Sequence, residues 1–201
     1  MAETSFAVTW DYRCPFARNA HEYVVAGLEH GAPWSVTFVP FSLNQVHVPE
    51  GGLSVWDNEA AWPDLLALEA GVVIRDRYPD AFVPAHRALF AARHEEGGDL
   101  RDPAVVRHAL EGIAVPVDHV FGEIAEGWPR EQIQKEHEAA VAGHAVFGVP
   151  TFIVGDRAAF VRLMDRPEGD GPRARSVVEH VLSLCVEHPE LNEFKHTTVS
   201  R

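Results

Sequence analysis

The fold is decided by one stretch near the start of the chain, residues 6–31, which reads FAVTWDYRCPFARNAHEYVVAGLEHG. Its first seven residues, 6–12, are mostly apolar and aromatic, which predicts a buried strand. Pro15 suits the first turn of a helix, and Gly31 ends that helix. Residues 34–41, WSVTFVPF, predict a second strand. The first forty residues therefore predict a βαβ unit with a right-handed crossover.

The pattern changes to a helical one in residues 57–145, where apolar residues recur at spacings of three and four. Helices are predicted near 58–75, 80–96, 103–114, 117–126 and 130–145. This block separates the second strand from the rest of the sheet. We interpret it as an inserted helical subdomain at 57–145.

Strand-like sequence returns at residues 150–154, PTFIV, and again at 158–164, AAFVRLM. The Gly155-Asp156 pair between them predicts a hairpin turn. Residues 173–187 predict a last amphipathic helix. The tail from Glu190 is predicted to be weakly ordered.

The resulting fold class is α/β, with residues 1–56 and 146–201 as one discontinuous domain around the insert. That core needs one further short strand hidden in the loops if it is to have five strands.

The composition bounds the function. The chain has 201 residues with 17 Lys+Arg against 30 Asp+Glu, a net charge of −13. This sign argues against a nucleic-acid partner and against a polybasic membrane surface. No transmembrane span or signal peptide is evident, so we expect a cytoplasmic protein. Two cysteines are too few for a disulfide scaffold. No oligomeric state follows from the sequence.

Cys14 is the first candidate for chemistry, because it lies where a strand ends and a helix begins. Free N–H groups and the positive dipole end of a helix favour a thiolate there. Arg13 and Arg18 are close enough in sequence to add positive field. The alternative is a buried structural cysteine.

The second candidate is the segment 147–152, FGVPTF. A proline at the start of a strand often marks a special turn, and a cis Val149–Pro150 bond would expose backbone groups to an extended ligand. An ordinary loop-to-strand proline is the alternative.

Together, Cys14-Pro15-Phe16 and Val149-Pro150-Thr151 resemble the thioredoxin fold, and more narrowly the DsbA-like family. That family includes FrnE-type oxidoreductases, 2-hydroxychromene-2-carboxylate isomerases and kappa-class glutathione transferases. The resemblance covers nearly the whole chain. It implies that Cys14 is the attacking cysteine and that Pro150 is a cis-proline facing it.

The resemblance also implies a substrate groove bordered by a small set of residues: Pro15, Phe16, Ala17, Val149, Pro150 and Thr151. Asp11 matches a polar position before the motif, without an assigned role. The segment 40–43, PFSL, is similar to a stretch after the second strand of these relatives.

One departure from the family pattern concerns the mechanism. A dithiol motif would be Cys-x-x-Cys, but position 17 is Ala. Cys14 can form a mixed disulfide but has no local thiol to resolve it. A monothiol route remains, with an external thiol as the resolving partner. Cys185 could resolve the disulfide only if its Cα came within about 7 Å of that of Cys14.

Three functions stay open from the sequence. The first is a thiol-disulfide oxidoreductase working through Cys14 alone. The second is a transferase or isomerase that uses a small thiol, glutathione or mycothiol, as co-substrate. The transferase and isomerase relatives carry Ser at the cysteine position and activate a bound thiol, and Cys14 could act in the same way. The third is a non-catalytic binding module.

In the second case a substrate would lie between the core and the insert. The aromatic residues available there are Trp56, Trp62, Phe82, Phe90 and Phe121, for which core packing is the alternative.

No bound cofactor or metal is expected. The histidine pairs His137/His144 and His86/His94 are spaced seven and eight residues apart, which does not match an HExxH motif. Gly-rich phosphate-binding motifs are also absent from the sequence. The resemblance to the DsbA-like family implies that the partner is a small-molecule thiol or a thiol/disulfide substrate, with no nucleic acid or membrane partner.

Overall fold

The computed structural model describes residues 4–198 and contains one mixed sheet in that range. The strands are β1 (Thr4–Trp10), β2 (Trp34–Pro40), β3 (Thr151–Val154) and β4 (Arg157–Phe160). Their order is β2-β1-β3-β4, with β1 parallel to β2 and the remaining pairs antiparallel. This confirms the predicted α/β class.

The described part of the chain also contains eight α-helices. They are α1 (Pro15–Glu29), α2 (Leu43–Val46), α3 (Leu66–Arg77), α4 (Pro79–His94), α5 (Pro103–Ala109), α6 (Val117–Ala125), α7 (Trp128–His144) and α8 (Gly171–Glu187). Helices α3 to α7 fall between β2 and β3, which places the helical insertion where the sequence predicts it.

The structure corrects two details of the sheet. The extra strand suggested for the loops is not found within residues 4–198; after β2 the chain forms α2 instead, because Ser42 caps a helical turn. The predicted strand 158–164 ends at Phe160. Beyond it the chain leaves the sheet and lies along α1, where the Asn19 side chain donates a hydrogen bond to the carbonyl of Leu163 (2.8 Å).

The helix predicted near 58–75 is also two elements. Residues Glu59–Leu65 form a 3-10 helix that contains Pro63, and α3 begins after it. A proline has no N–H for an α-helical hydrogen bond and clashes with the preceding turn, so the regular helix begins only beyond it.

Buried apolar side chains form two clusters. One lies between the sheet and helices α1 and α8, and it includes Phe6, Val24 and Val178. The other joins the end of β1 to the insert, where Trp10 contacts Phe82 edge to face. In the described range no helix is both long and apolar enough to span a bilayer.

A chain of buried hydrogen bonds also ties the insert to the core. The Tyr12 hydroxyl bonds His86 Nδ1 (2.8 Å), His86 Nε2 bonds His21 Nδ1 (2.9 Å), and His21 Nε2 bonds the carbonyl of Thr9 (3.1 Å). Because a carbonyl only accepts, His21 Nε2 must carry the proton, which fixes each neutral tautomer in turn and makes the tyrosine a donor. Burial lowers the pKa of His21 to about 4 and lowers that of His86 as well, so both stay neutral.

Candidate active site

Cys14 caps the N-terminus of α1 with its side chain. Its Sγ accepts a hydrogen bond from the backbone N–H of Ala17 (3.4 Å). On the other side the thiol donates to the carbonyl of Val149 (3.4 Å), so the two candidate segments of the sequence meet at this atom. Only 8% of Cys14 is exposed.

The Val149–Pro150 peptide bond is cis. The loop that contains it is fastened to β1 through Thr9, a residue the sequence did not single out. The N–H of Thr151 donates to Thr9 Oγ1 (2.9 Å), and the hydroxyl of Thr151 donates to the carbonyl of Gly148 (2.8 Å). Thr9 and Thr151 are both buried. These bonds hold the Val149 carbonyl against the cysteine.

Asp11 organises the other side of the site. Its carboxylate oxygens accept hydrogen bonds from the N–H of Arg13 and from the N–H of Leu43, both at 2.9 Å. Its own carbonyl accepts from the N–H of Cys14 (3.1 Å). Burial raises the pKa of this carboxyl, and the charge of Arg13 opposes that rise. Asp11 thus joins the loop before α1 to the segment 40–43.

The acidity of Cys14 differs from the sequence-based expectation. Burial raises the pKa of the thiol, and the N–H groups of Ala17 and Phe16 lower it only in part. The helix start therefore acts as predicted, but removal of the sulfur from water outweighs it. At rest the thiol is protonated and bonded to Val149.

Arg13 and Arg18, which the sequence suggested as a source of positive field for Cys14, form ion pairs with other residues. The Arg13 guanidinium lies 3.7 Å from Asp11 and 3.6 Å from Asp64. Arg18 lies 3.3 Å from two carboxylates, those of Glu22 and Glu95. Each arginine thus lies among carboxylates that offset its charge.

The cation that does lower the pKa of Cys14 is Arg162, which sequence reasoning missed. Its guanidinium carbon lies 5.4 Å from the ring centre of Phe16 and 5.8 Å from that of Phe160. The only sequence signal is its place eleven residues after Thr151, beyond the hairpin.

The rim around Cys14 is apolar. Pro15 is exposed and Phe16 half-buried, whereas the Ala17 side chain is fully buried and contributes its N–H. Phe147 is 65% exposed, and its ring centre lies 5.1 Å from that of Phe160.

Both cysteines are free. Cys185 lies in α8, where the charge of Arg157 reaches it. Arg157 pairs with Val154, at the opposite end of β3 from Thr151. Cys185 is therefore near the turn end of the hairpin, whereas the cis bond precedes the other end of β3.

The aromatic residues suggested as a wall for the substrate have two kinds of surroundings. Trp56, Phe82 and Phe90 are buried in the second cluster. Trp62 lies under the guanidinium of Arg130 (3.5 Å), and Phe121 lies similarly under an arginine of α5. The core-packing alternative thus describes Trp56, Phe82 and Phe90, whereas Trp62 and Phe121 are half-buried beneath arginines.

The histidine pairs serve packing as well. His86 bonds Tyr12 and His21, and His137 stacks on Phe41 with ring centres 4.0 Å apart. Across residues 4–198, no group of three potential metal ligands comes together.

Comparison with known proteins finds likeness in structure only. No family model matches the chain, and no curated protein matches it. Several solved structures do match over most of their length. Pseudomonas aeruginosa DsbA aligns with 18% identity and a TM-score of 0.57, over 90% of this chain and 85% of that one. The oxidoreductase NmDsbA1 from N. meningitidis aligns with 13% identity and a TM-score of 0.59, over 94% and 86% of the two chains.

A 2-hydroxychromene-2-carboxylate isomerase is similar to the same degree. It aligns with 18% identity and a TM-score of 0.56, over 94% of this chain and 100% of the isomerase. Oxidoreductases and an isomerase thus share one architecture with this chain, and at such identities the likeness establishes the fold.

Proposed function

We propose, starting from the DsbA-like thioredoxin fold of this chain, that it is a thiol-disulfide oxidoreductase that works through Cys14 alone. One observation carries the proposal: the Cys14 thiol lies against the carbonyl of the cis Val149–Pro150 bond, at the start of α1. Ala17 occupies the place of a second cysteine, so an external small thiol completes the cycle.

The proposed cycle has two exchanges. The Cys14 thiolate attacks a disulfide, a new S–S bond forms, and the substrate's other sulfur leaves as a thiolate that takes up a proton. The thiolate of a small thiol then attacks the mixed disulfide and releases Cys14 as a thiolate. One half of the substrate disulfide is thus released as a thiol, and the other half leaves in a mixed disulfide with the small thiol, which is oxidised in its place.

The raised pKa of Cys14 determines how the cycle begins. The resting thiol must lose its proton before it attacks, because the thiolate is the nucleophile. A substrate chain that bonds to the Val149 carbonyl would displace the thiol's own hydrogen bond. Reactivity is therefore expected to rise with pH above neutrality.

The same protonated thiol favours a second candidate function. A neutral Cys14 can donate a hydrogen bond to the thiolate of bound glutathione or mycothiol instead of to Val149. The protein would then be a transferase or isomerase that depends on a small thiol, and the sulfur of that co-substrate would react.

A mass-spectrometric exchange assay tests the proposal. The protein is incubated with glutathione disulfide, and a glutathione adduct is expected on Cys14 and is expected to disappear when free thiol is added. A Cys185→Ala variant should behave like the unmodified protein. A Cys14→Ser variant should form no adduct and lose thiol exchange.

Two results would contradict the oxidoreductase. One is full thiol exchange by the Cys14→Ser variant. The other is the absence of any adduct on Cys14 across the alkaline range together with saturable glutathione binding, which supports the second function. If the protein neither reacts nor binds a small thiol, the site serves binding of another kind.

A further inference from the structure

Arg162 holds a fixed place beside the proposed reaction site. The N–H of Val161 donates to the carbonyl of Pro150 (3.1 Å), so the chain next to Arg162 is bonded to the cis-proline itself. The side chain then extends over Phe16 and Phe160, at 5.4 and 5.8 Å from their ring centres. The guanidinium therefore bridges the start of α1 and the hairpin.

The charge of Arg162 is unmatched. Among residues 4–198, no carboxylate lies within ion-pairing distance of its guanidinium, and the side chain is exposed. Other arginines near α1 do have carboxylate neighbours, namely Arg13 before the helix, Arg18 within it and Arg166, which lies 3.3 Å from Glu22 of the helix. The five N–H donors of Arg162 are free for a ligand.

We infer that Arg162 binds a carboxylate of the substrate while the substrate's sulfur meets Cys14. The inference rests on the proposed function and names the substrate class, namely small disulfides and thiols that carry a carboxylate, as glutathione does. A guanidinium binds a carboxylate through two parallel hydrogen bonds, which fixes orientation as well as position. Phe16, Phe160 and the exposed Phe147 supply the apolar side of this site.

Two chromogenic disulfides separate this role from an effect on thiol acidity. 5,5′-Dithiobis(2-nitrobenzoate) carries a carboxylate on each ring, and 4,4′-dithiodipyridine carries none. Both react with the same sulfur, so a change in the thiolate fraction of Cys14 alters both rates equally. Loss of a carboxylate contact slows only the first. Rates are measured in the Cys185→Ala background, in which Cys14 is the only thiol.

Three variants make the comparison. Arg162→Gln removes the charge, Arg162→Lys keeps it, and Arg157→Gln removes a charge at the far end of the same hairpin. We expect Arg162→Gln to slow the reaction with the dicarboxylate reagent about tenfold, the loss of one charge-assisted hydrogen-bond pair. Its rate with dithiodipyridine should change less than twofold. Arg162→Lys should recover part of the loss, and Arg157→Gln should match the parent.

Ionic strength provides a second readout. The rate with the dicarboxylate reagent should fall as salt is added to the parent, because added ions screen exposed charges. In Arg162→Gln this dependence should be much weaker.

The outcomes distinguish the two proposals. Equal slowing of both reagents in Arg162→Gln would overturn the carboxylate site, and so would no slowing at all. In either case, reaction of Cys14 with the reagents would still support the oxidoreductase. Failure of Cys14 to react with either reagent in the parent would overturn both.

Discussion

Cys14 rests as a hydrogen-bonded thiol between the N–H of Ala17 and the carbonyl of Val149. Since burial raises its pKa, we expect the alkylation rate in a Cys185→Ala variant to keep rising with pH beyond 8. The measurement is the rate of iodoacetamide labelling across pH 6–10, followed by mass.

A plateau reached near pH 6 to 7 would contradict this expectation, since it would mean a poised thiolate. The matched control is Cys14→Ala, in which Cys185 alone is labelled. Burial also raises the pKa of Cys185, so the difference between the two pH profiles shows how the position at the start of α1 affects the reactivity of Cys14.

Ala17 tests whether the remainder of a dithiol site is intact. Its N–H points at the sulfur of Cys14 and its side chain is completely buried. We expect Ala17→Cys to form a disulfide with Cys14 and to gain catalysis of insulin reduction at least tenfold above the parent. Ala17→Ser, similar in size but without a thiol, should gain nothing. Equal activity in the two variants would show that more than the second sulfur is missing.

Tyr12 tests the buried hydrogen-bond chain. Tyr12→Phe leaves His86 Nδ1 without its donor, and an unsatisfied buried acceptor costs about 1–3 kcal/mol in the free energy of unfolding. Tyr78→Phe is the control, because it removes a hydrogen bond of the same length to an exposed histidine, His119. That change should stay within about 0.5 kcal/mol. Equal urea midpoints for the two variants would show that the buried hydrogen bonds of Tyr12, His86 and His21 add nothing to stability.

At the scale of elements, the hairpin of β3 and β4 depends on Thr9. The pairing of β3 with β1 is short, and the Thr9 hydroxyl receives the N–H of Thr151 just before that pairing begins. We expect Thr9→Val to lower the free energy of unfolding by about 1–3 kcal/mol and to speed alkylation of Cys14, because the Val149 carbonyl is no longer held in place.

The control is Thr37→Val, on the exposed side of β2, which should change neither property. Destabilisation by Thr9→Val without faster alkylation would separate the role of Thr9 in the sheet from any role at the site.

The elements themselves were largely predictable, because their signals are local. Pro15 and Pro103 each mark the first turn of a helix, and the structure begins helices at both. The errors came from signals that local periodicity does not contain. Pro63 divides a predicted helix, and the chain after Phe160 leaves the sheet to bond Asn19.

The candidate site was predictable only in part. Cys14 and Pro150 carry recognisable neighbours in the sequence. The bond from Leu43 to Asp11 joins residues 32 apart, and Thr9 and Thr151 are 142 apart. Burial raises the pKa of Cys14 and the N–H groups at the start of α1 lower it. Both effects can be named from the sequence, but which one is larger depends on contacts of this long-range kind.

At the scale of the whole molecule, buried neutral histidines make stability depend on pH. Burial lowers the pKa of His21 and His137 to about 4, and lowers that of His86. Between pH 6.5 and about 4, these histidines bind protons in the unfolded chain but stay neutral in the folded protein. The free energy of unfolding should therefore fall as pH is lowered through that window.

Buried Asp11 and Glu69, whose pKa values are raised, contribute in the opposite sense, so the test uses a difference between variants. His137→Phe keeps a ring against Phe41 and removes one titrating group. Its loss of stability between pH 7 and pH 4 should be smaller than the parent's by roughly 2–3 kcal/mol. The exposed His180→Gln change should leave the loss as it was, and parallel curves for all three proteins would contradict the account.

The pairing of Cys14 with Val149 spans 135 residues of chain. At a synthesis rate of about 5–20 residues per second, the ribosome makes the second partner roughly 7–27 s after the first. Throughout that interval the nascent sulfur lacks the cover that Val149 provides in the finished protein. Any oxidant or electrophile near the ribosome therefore meets this thiol before it is enclosed, so damage during synthesis would be recorded at the residue the finished protein shields.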